Sequence, residues 1–253
     1  MTLAAFRCVR NSSISQNLLR SLKQHHGQFY GKASLQDIGV DLNQMTDFLK
    51  SYENLVIEQG RILNGLPTRL RRYAHFTIQK MEDENYFQQN LRTEFKQDVN
   101  DDRNKVRIFT PIEEHFLNDK TIQKLLSNMT DIVWEIHPDV IELEMSLHQV
   151  RVLTYPNMIG TNSPEGIHQD GADVIVPAIV LNRSPHIVGG VSRIYDADKI
   201  TKIDETIVEK GEFNFMQDRI LWHDVSEFLL NTTEKIGYRD ILGIDWKITN
   251  RNP

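Results

Sequence analysis

Four residues stand out as suited to chemistry: His168, Asp170, His223 and Arg239. His168 and Asp170 lie two positions apart in the string Pro164-Glu165-Gly166-Ile167-His168-Gln169-Asp170-Gly171, so an extended backbone projects both side chains from one face. His223 brings a second imidazole from a separate segment. Two imidazoles and one carboxylate on one side of a divalent metal leave its other positions open, the arrangement that non-haem Fe(II) oxygenases use for cosubstrate and O2. Arg239 follows, a fixed cation able to grip a carboxylate with two parallel hydrogen bonds. H-x-D, a distal His and then an Arg suggest an iron oxygenase drawing on 2-oxoglutarate.

Rival readings of these residues are weaker. H-x-D alone is common, and Asp170-Gly171 could be turn chemistry. Asp173 competes with Asp170 for the ligand role, but it falls on the opposite parity from His168 in an extended strand. Glu212 and Asp218 have no His two positions away. Zinc hydrolysis also uses two histidines and a carboxylate, yet no H-E-x-x-H helix is present, and Arg239 has a clear purpose only if a dicarboxylic cosubstrate is held end-on.

The elements that must position this set are α+β in order. With 253 residues, 40% hydrophobic and 25% charged, the chain suits one sizeable globular unit. A net charge of −6 argues against nucleic acid as a partner. Cys8 is the single cysteine, which permits no internal disulfide and fits a reducing compartment. No apolar run reaches the length of a membrane span, so a soluble, cytoplasmic protein is expected. The stretch before Asp37 has no acid and several Arg, Lys and Ser, the composition of a mitochondrial transit peptide or, with Leu18, Leu19 and Leu22, of a basic helix packed on the domain.

Residues 1–60 read as an N-terminal helical segment and 61–253 as the main domain. Apolar spacing from Leu35 to Val56 predicts one or two amphipathic helices. Arg71–Ile78 reads as a strand. Residues 79–105 are polar and predict an exposed hairpin or loop, a candidate lid. Pro111 opens a long helical pattern ending near His137-Pro138. After that come Ile141–Tyr155 and a run of short strands, Val174–Leu181, Ile187–Tyr195, Glu212–Met216, Arg219–Trp222 with Val225–Leu230, and Tyr238–Ile248, broken by turn signals. Such spacing marks a β-sandwich or barrel, here a jelly-roll core with helices outside. Arg71-Arg72 resembles a phosphate patch, but two arginines beside a strand are usually solvated; Trp222 reads as a core or barrel-lip residue.

Five segments, Arg71-Arg72-Tyr73, Arg107 to Ile112, Gln149-Val150-Arg151, Pro164 to Gly171 and Gly237 to Leu242, resemble in order the bacterial 2-oxoglutarate/Fe(II) dioxygenases that include L-isoleucine dioxygenase. The resemblance runs from about residue 65 to 248. It implies a double-stranded β-helix (cupin-like) core, Fe(II) on His168, Asp170 and His223, and the distal carboxylate of 2-oxoglutarate on Arg239. The reaction it implies hydroxylates a free L-amino acid, aliphatic by preference, with O2 as cosubstrate, ascorbate as support, and release of succinate and CO2. Many such oxygenases carry Ser or Thr two residues after the Arg. Here that position is Ile241, so Tyr155 or Thr154 would have to complete the carboxylate site. Arg151 is the candidate for the substrate carboxylate and Asp173 for its ammonium, while Glu165, just before the ligands, is read either as a substrate contact or as a residue that supports the ligands or caps their loop. A carrier-bound residue as substrate, or a cupin-like binding protein without turnover, are the alternatives.

Overall fold

The computed structural model describes residues 4–99, 102–232 and 236–252. Its main layer is a ten-stranded antiparallel sheet whose central strands are Arg69–Lys80, Val140–Thr154, Gly237–Arg251, Val174–Arg183 and Glu212–Gln217, side by side in that order. Facing it is a smaller layer formed by Lys202–Ile207, Val191–Tyr195 and Trp222–Val225, together with the pair Ile187–Gly189 and Phe228–Leu230. Two opposed antiparallel layers with a cleft between them constitute the double-stranded β-helix that the sequence led us to expect.

Strand parity decides what each face of the large sheet does. Leu143, Met145 and Leu147 on one strand, and Leu242, Ile244 and Trp246 on its neighbour, point to the same side and are fully buried. The helix Lys120–Ile136 covers that side with Ile122, Leu126, Met129 and Val133, in one continuous core. Each such side chain stabilises the fold by roughly 1.5–3 kcal/mol relative to exposure. The helix begins at Asp119, whose carboxylate accepts from the Thr121 and Ile122 amides at 2.7 and 3.1 Å, and so satisfies donors the first turn leaves open. His148 and Val150, of opposite parity, face the cleft, as do Ile241, Gly243 and Asp245. Pro177, which cannot donate to a ladder, stands where the register of Val174–Arg183 shifts between Ile175 and Ala178, the usual home of a proline inside a sheet.

Several expectations need correction. The first 60 residues do pack a helix, Ser12–Ser21, on the outside with Leu18 buried, but they also contribute strands. Ala5–Val9 pairs with Glu84–Asn90, and Gln28–Ser34 pairs with Glu212–Gln217. Between Leu35 and Val56 the helices are single turns and the five-residue Thr46–Lys50. The polar stretch 79–105 does begin as a hairpin, but it is not an exposed one: Asn85, Phe87 and Gln89 are buried. Asn85 is tolerated there because its amide donates to Asp131 Oδ1 at 2.8 Å and Ser127 Oγ at 2.9 Å, and accepts from Trp134 Nε1 at 2.8 Å. A polar residue with every bond made can be buried at little cost. No helix among the described residues is long and apolar enough to cross a membrane.

Candidate active site

His168 and His223 are far apart in sequence and paired in space. His168 N donates to His223 O and His223 N to His168 O, both at 2.9 Å, so the two residues form one hydrogen-bonded antiparallel pair and their side chains share a face. The ring centroids are 4.2 Å apart. Asp170 completes the group: its Oδ1 lies 3.7 Å from His168 Nε2 and its Oδ2 lies 3.5 Å from His223 Nε2. Three donor atoms within 4.8 Å of one another could close on one ion. His168 Nδ1 lies 2.8 Å from Gly166 O, which places its hydrogen there and leaves Nε2 with a lone pair for a metal.

The surroundings set the charge state that such binding requires. Burial, then the neighbouring His168, pushes His223 down to about 3, so its imidazole is neutral at pH 7. Burial opposes ionisation of Asp170, but His223, His168 and Arg103 outweigh it and hold the carboxyl below its usual range. Gln97 Nε2 donates to Asp170 Oδ1 at 2.6 Å and fixes the carboxylate's orientation. Behind the pair, Asp218 accepts from the Gly171 amide at 2.7 Å and lies 3.7 Å from His223 Nδ1. Gly171 itself has φ +78, and a Cβ there would meet Asp98 O at 2.6 Å; only glycine lets segment 94–99 pack this closely on the metal loop.

Arg239 shares the cleft-facing parity of Ile241, Gly243 and Asp245 and is fully buried. Its Nη1 donates to Asn162 Oδ1 at 3.2 Å, while Nε and Nη2 have no hydrogen-bond partner among the described residues. Burial, then the nearby Arg183, pushes it down to about 10, so it stays cationic at neutral pH. A buried guanidinium with unsatisfied donors fits an anionic ligand that completes it.

The other residues singled out from sequence fall differently. Arg151 has the parity of Leu147 and points to the helix-covered side, where Nε and Nη2 bond Asp240 at 2.6 and 2.9 Å. The strand-to-loop argument that favoured it overlooked that alternation. Tyr155 donates to Pro67 O at 2.9 Å and Thr154 to Met158 O at 2.7 Å, and neither borders the cleft; Asn162 is the polar side chain that meets Arg239. Asp173 bonds Arg219 Nε at 2.8 Å and the Ile248 amide at 2.7 Å, a structural position outside the cleft. Glu165 does border it, with Oε1 3.3 Å from His168 Nε2. Arg71 and Arg72 diverge to opposite faces: Arg72 bonds Asn54 O and Pro111 O, and Arg71 enters the cleft. Trp222 is half-buried at the lip, with Lys199 Nζ 3.5 Å from its ring centroid. Gln97, Asn162 and Arg69 belong to no quoted motif, Arg107 opens one of the resembling segments without a role of its own, and Asp218 was set aside as a ligand for want of a His two positions away. Only strand parity could have pointed to Arg69, through Arg71.

Comparison with known proteins places this geometry. The fold is shared with a bsmA homolog from Methylobium petroleophilum PM1 (TM-score 0.77, 16% identity, 97% of this chain and 96% of that one). It is shared with IDO from Bacillus thuringiensis (TM-score 0.73, 18% identity, 94% and 100%), and with the Fe(II)/(alpha)ketoglutarate-dependent dioxygenase TqaL (TM-score 0.61, 16% identity, 88% and 87%). No curated protein matches the chain. A family model described as 2OG-Fe dioxygenase matches residues 49–245 of the 253, which include His168, Asp170, His223 and Arg239. The chain therefore belongs to the 2OG-Fe dioxygenase family, and it is a 2-oxoglutarate-dependent iron dioxygenase that works with Fe(II) and O2.

Proposed function

We propose that this dioxygenase hydroxylates a free L-amino acid, with His168, Asp170 and His223 holding Fe(II) and Arg239 holding the distal carboxylate of 2-oxoglutarate. When bound, iron and cosubstrate supply the oxidation that puts one oxygen of O2 into an aliphatic C–H bond and releases succinate and CO2. Three tasks remain for the chain. Gln97 and the His168–His223 pair keep the ligand atoms converged. The unsatisfied donors of Arg239 orient the cosubstrate from the deep end of the cleft. Val150, Ala178, Val225 and Ile241 border the cavity and keep water from its inner wall.

The observation that carries the amino-acid reading is the mixture of charges around the metal group. Guanidinium groups of Arg71 and Arg107 and the carboxylate of Glu165 border one cleft, so a zwitterion can find both a cation for its carboxylate and an acid for its ammonium. Glu165 takes the ammonium role from Asp173, and Arg71 and Arg107 take the carboxylate role from Arg151. Succinate formation with each free L-amino acid, products weighed by mass spectrometry, tests the reading. Succinate matched by a product heavier by one oxygen supports it. Turnover only with a carrier-bound residue would move the substrate class while leaving the chemistry in place.

A further inference from the structure

Five arginines border the cleft, and four of them, Arg61, Arg69, Arg71 and Arg107, gather around one carboxylate, Glu58. Arg71 Nε stands 3.1 Å from Glu58 Oε2 and Arg61 Nε 3.8 Å from Oε1, while Arg69 and Arg107 act on it from further away. The side-chain hydrogen bonds of Arg69 and Arg107 go to neutral acceptors. Arg69 Nη2 donates to Thr161 O at 3.2 Å and Asn162 O at 2.8 Å, and Arg107 Nη2 to Gln97 Oε1 at 2.5 Å. Arg71 and Arg107 lie over the Phe109 ring at 4.8 and 5.8 Å. The buried Nε atoms of Arg69 and Arg107 have no hydrogen-bond partner among the described residues, while Arg71 Nε faces Glu58. Glu165, another carboxylate of this cleft, lies 3.3 Å from His168 Nε2 and 3.8 Å from Arg103.

The reaction centre does not consume this excess. The charges of Fe(II), Asp170, a 2-oxoglutarate dianion and Arg239 cancel among themselves. Asp245, 3.2 Å from His148, adds one carboxylate to the lining, fewer than the arginines it faces. A structural role would pair each cation or release it to water, and Arg69, only 6% exposed, is allowed neither. Burial, then repulsion from Arg71, pushes Arg69 down to about 10, as expected for a cation held beside another at a cost an anion would relieve.

We infer that the substrate carries at least two acidic groups, as in a dicarboxylic or phosphate-bearing amino acid, and that the Arg61–Arg69–Arg71–Arg107 cluster holds the second one. This deepens the proposed function and rests on the cleft being the oxygenase's substrate site. It departs from the aliphatic preference that the resemblance implied.

Calorimetric titration of the Mn(II)- and 2-oxoglutarate-saturated protein tests it, with L-glutamate against L-glutamine, O-phospho-L-serine against L-serine, and L-leucine as the apolar control. The acid of at least one pair is expected to bind roughly tenfold or more tighter than its neutral partner. Which pair shows the gap tells carboxylate from phosphate. Arg107→Gln and Arg61→Gln, both at partly exposed positions, are expected to close most of the gap without lowering the unfolding temperature. Metal-free Arg239→Met protein, titrated in parallel, keeps the cluster while removing the cosubstrate's anchor. Affinities within about twofold for both pairs, or leucine as the tightest ligand, would overturn the inference. A gap that persists in Arg239→Met protein would uphold the inference, and 2-oxoglutarate binding to the Mn(II) form of that variant with wild-type affinity would sink the assignment of Arg239 instead.

Discussion

Arg151 and Arg239 are neighbours by register, since Val152 pairs with Arg239 and Arg151 with Asp240, yet the two faces of one sheet put them in opposite situations. Arg151 lies on the covered side with two bonds to Asp240 and a third to Glu53 at 3.2 Å. Arg239 lies on the cleft side with one bond to Asn162 and two donors unused. Both are strand arginines read from sequence as anion holders, Arg239 by its place after the second histidine and Arg151 by its place ahead of the metal loop. What separates them is the partner set. A guanidinium that is already satisfied maintains structure, and one that is buried unsatisfied is available to a ligand.

The sharpest way to break this contrast starts at the metal group. His168→Ala and His223→Ala are each expected to abolish metal binding and turnover while the far-ultraviolet circular dichroism stays native, because both side chains border the cleft and neither belongs to the apolar core. A variant that still binds one equivalent of metal tightly would remove that histidine from the ligand set.

Next come the two arginines themselves. Arg239→Met is expected to weaken 2-oxoglutarate binding by about a hundredfold, the worth of a pair of charge-assisted bonds, and to leave stability level or raised because an unpaired buried charge is gone. Arg151→Met should do the reverse. It strands the buried Asp240 carboxylate and should cost about 3 kcal/mol in urea denaturation, with 2-oxoglutarate affinity unchanged. Loss of cosubstrate affinity in both variants would erase the distinction.

A smaller effect lies at the cleft mouth. Burial opposes ionisation of Glu58, but Arg71, Arg69, Arg61 and Arg107 outweigh it and hold its carboxyl below the ordinary 4.5. Its folded pKa is lower than its unfolded one, so its contribution is fully present above pH 4.5 and lost as pH falls through the lower folded value. Glu58→Gln is expected to cost about 2 kcal/mol at pH 7 and to flatten the acid side of the stability profile. An unchanged profile would mean that Glu58 does not anchor the cluster. Least affected should be His186→Ala, an exposed position outside the cleft: activity intact and stability within about 0.5 kcal/mol.

How much could be read beforehand follows the same division. The metal group was legible because H-x-D is local and parity-defined, and the jelly roll because short strands recur at turn-separated intervals. The long helix was legible by its 3.6-residue apolar period, which Ile122, Leu125, Leu126, Met129 and Ile132 keep. Glu84–Asn90 was not recognised as a strand of the main sheet, because Asn85 and Gln89 look solvated until Ser127, Asp131 and Trp134 are seen to satisfy Asn85. Arg151 was misplaced although its own strand's alternation, with Leu147 on its side and His148 on the other, was in view. Arg69, Arg107 and Gln97 come from separate segments, and their convergence is a property of register and loop packing that no single segment encodes.

The most direct measurement is 2-oxoglutarate affinity for the Mn(II)-loaded wild type, Arg239→Met and Arg151→Met proteins by calorimetry, with unfolding free energies measured on the same samples. The expected result is a large loss of affinity in Arg239→Met alone and a large loss of stability in Arg151→Met alone. Equal affinities in all three proteins would contradict the assignment of Arg239 to the cosubstrate and leave its buried, unsatisfied guanidinium without a ligand.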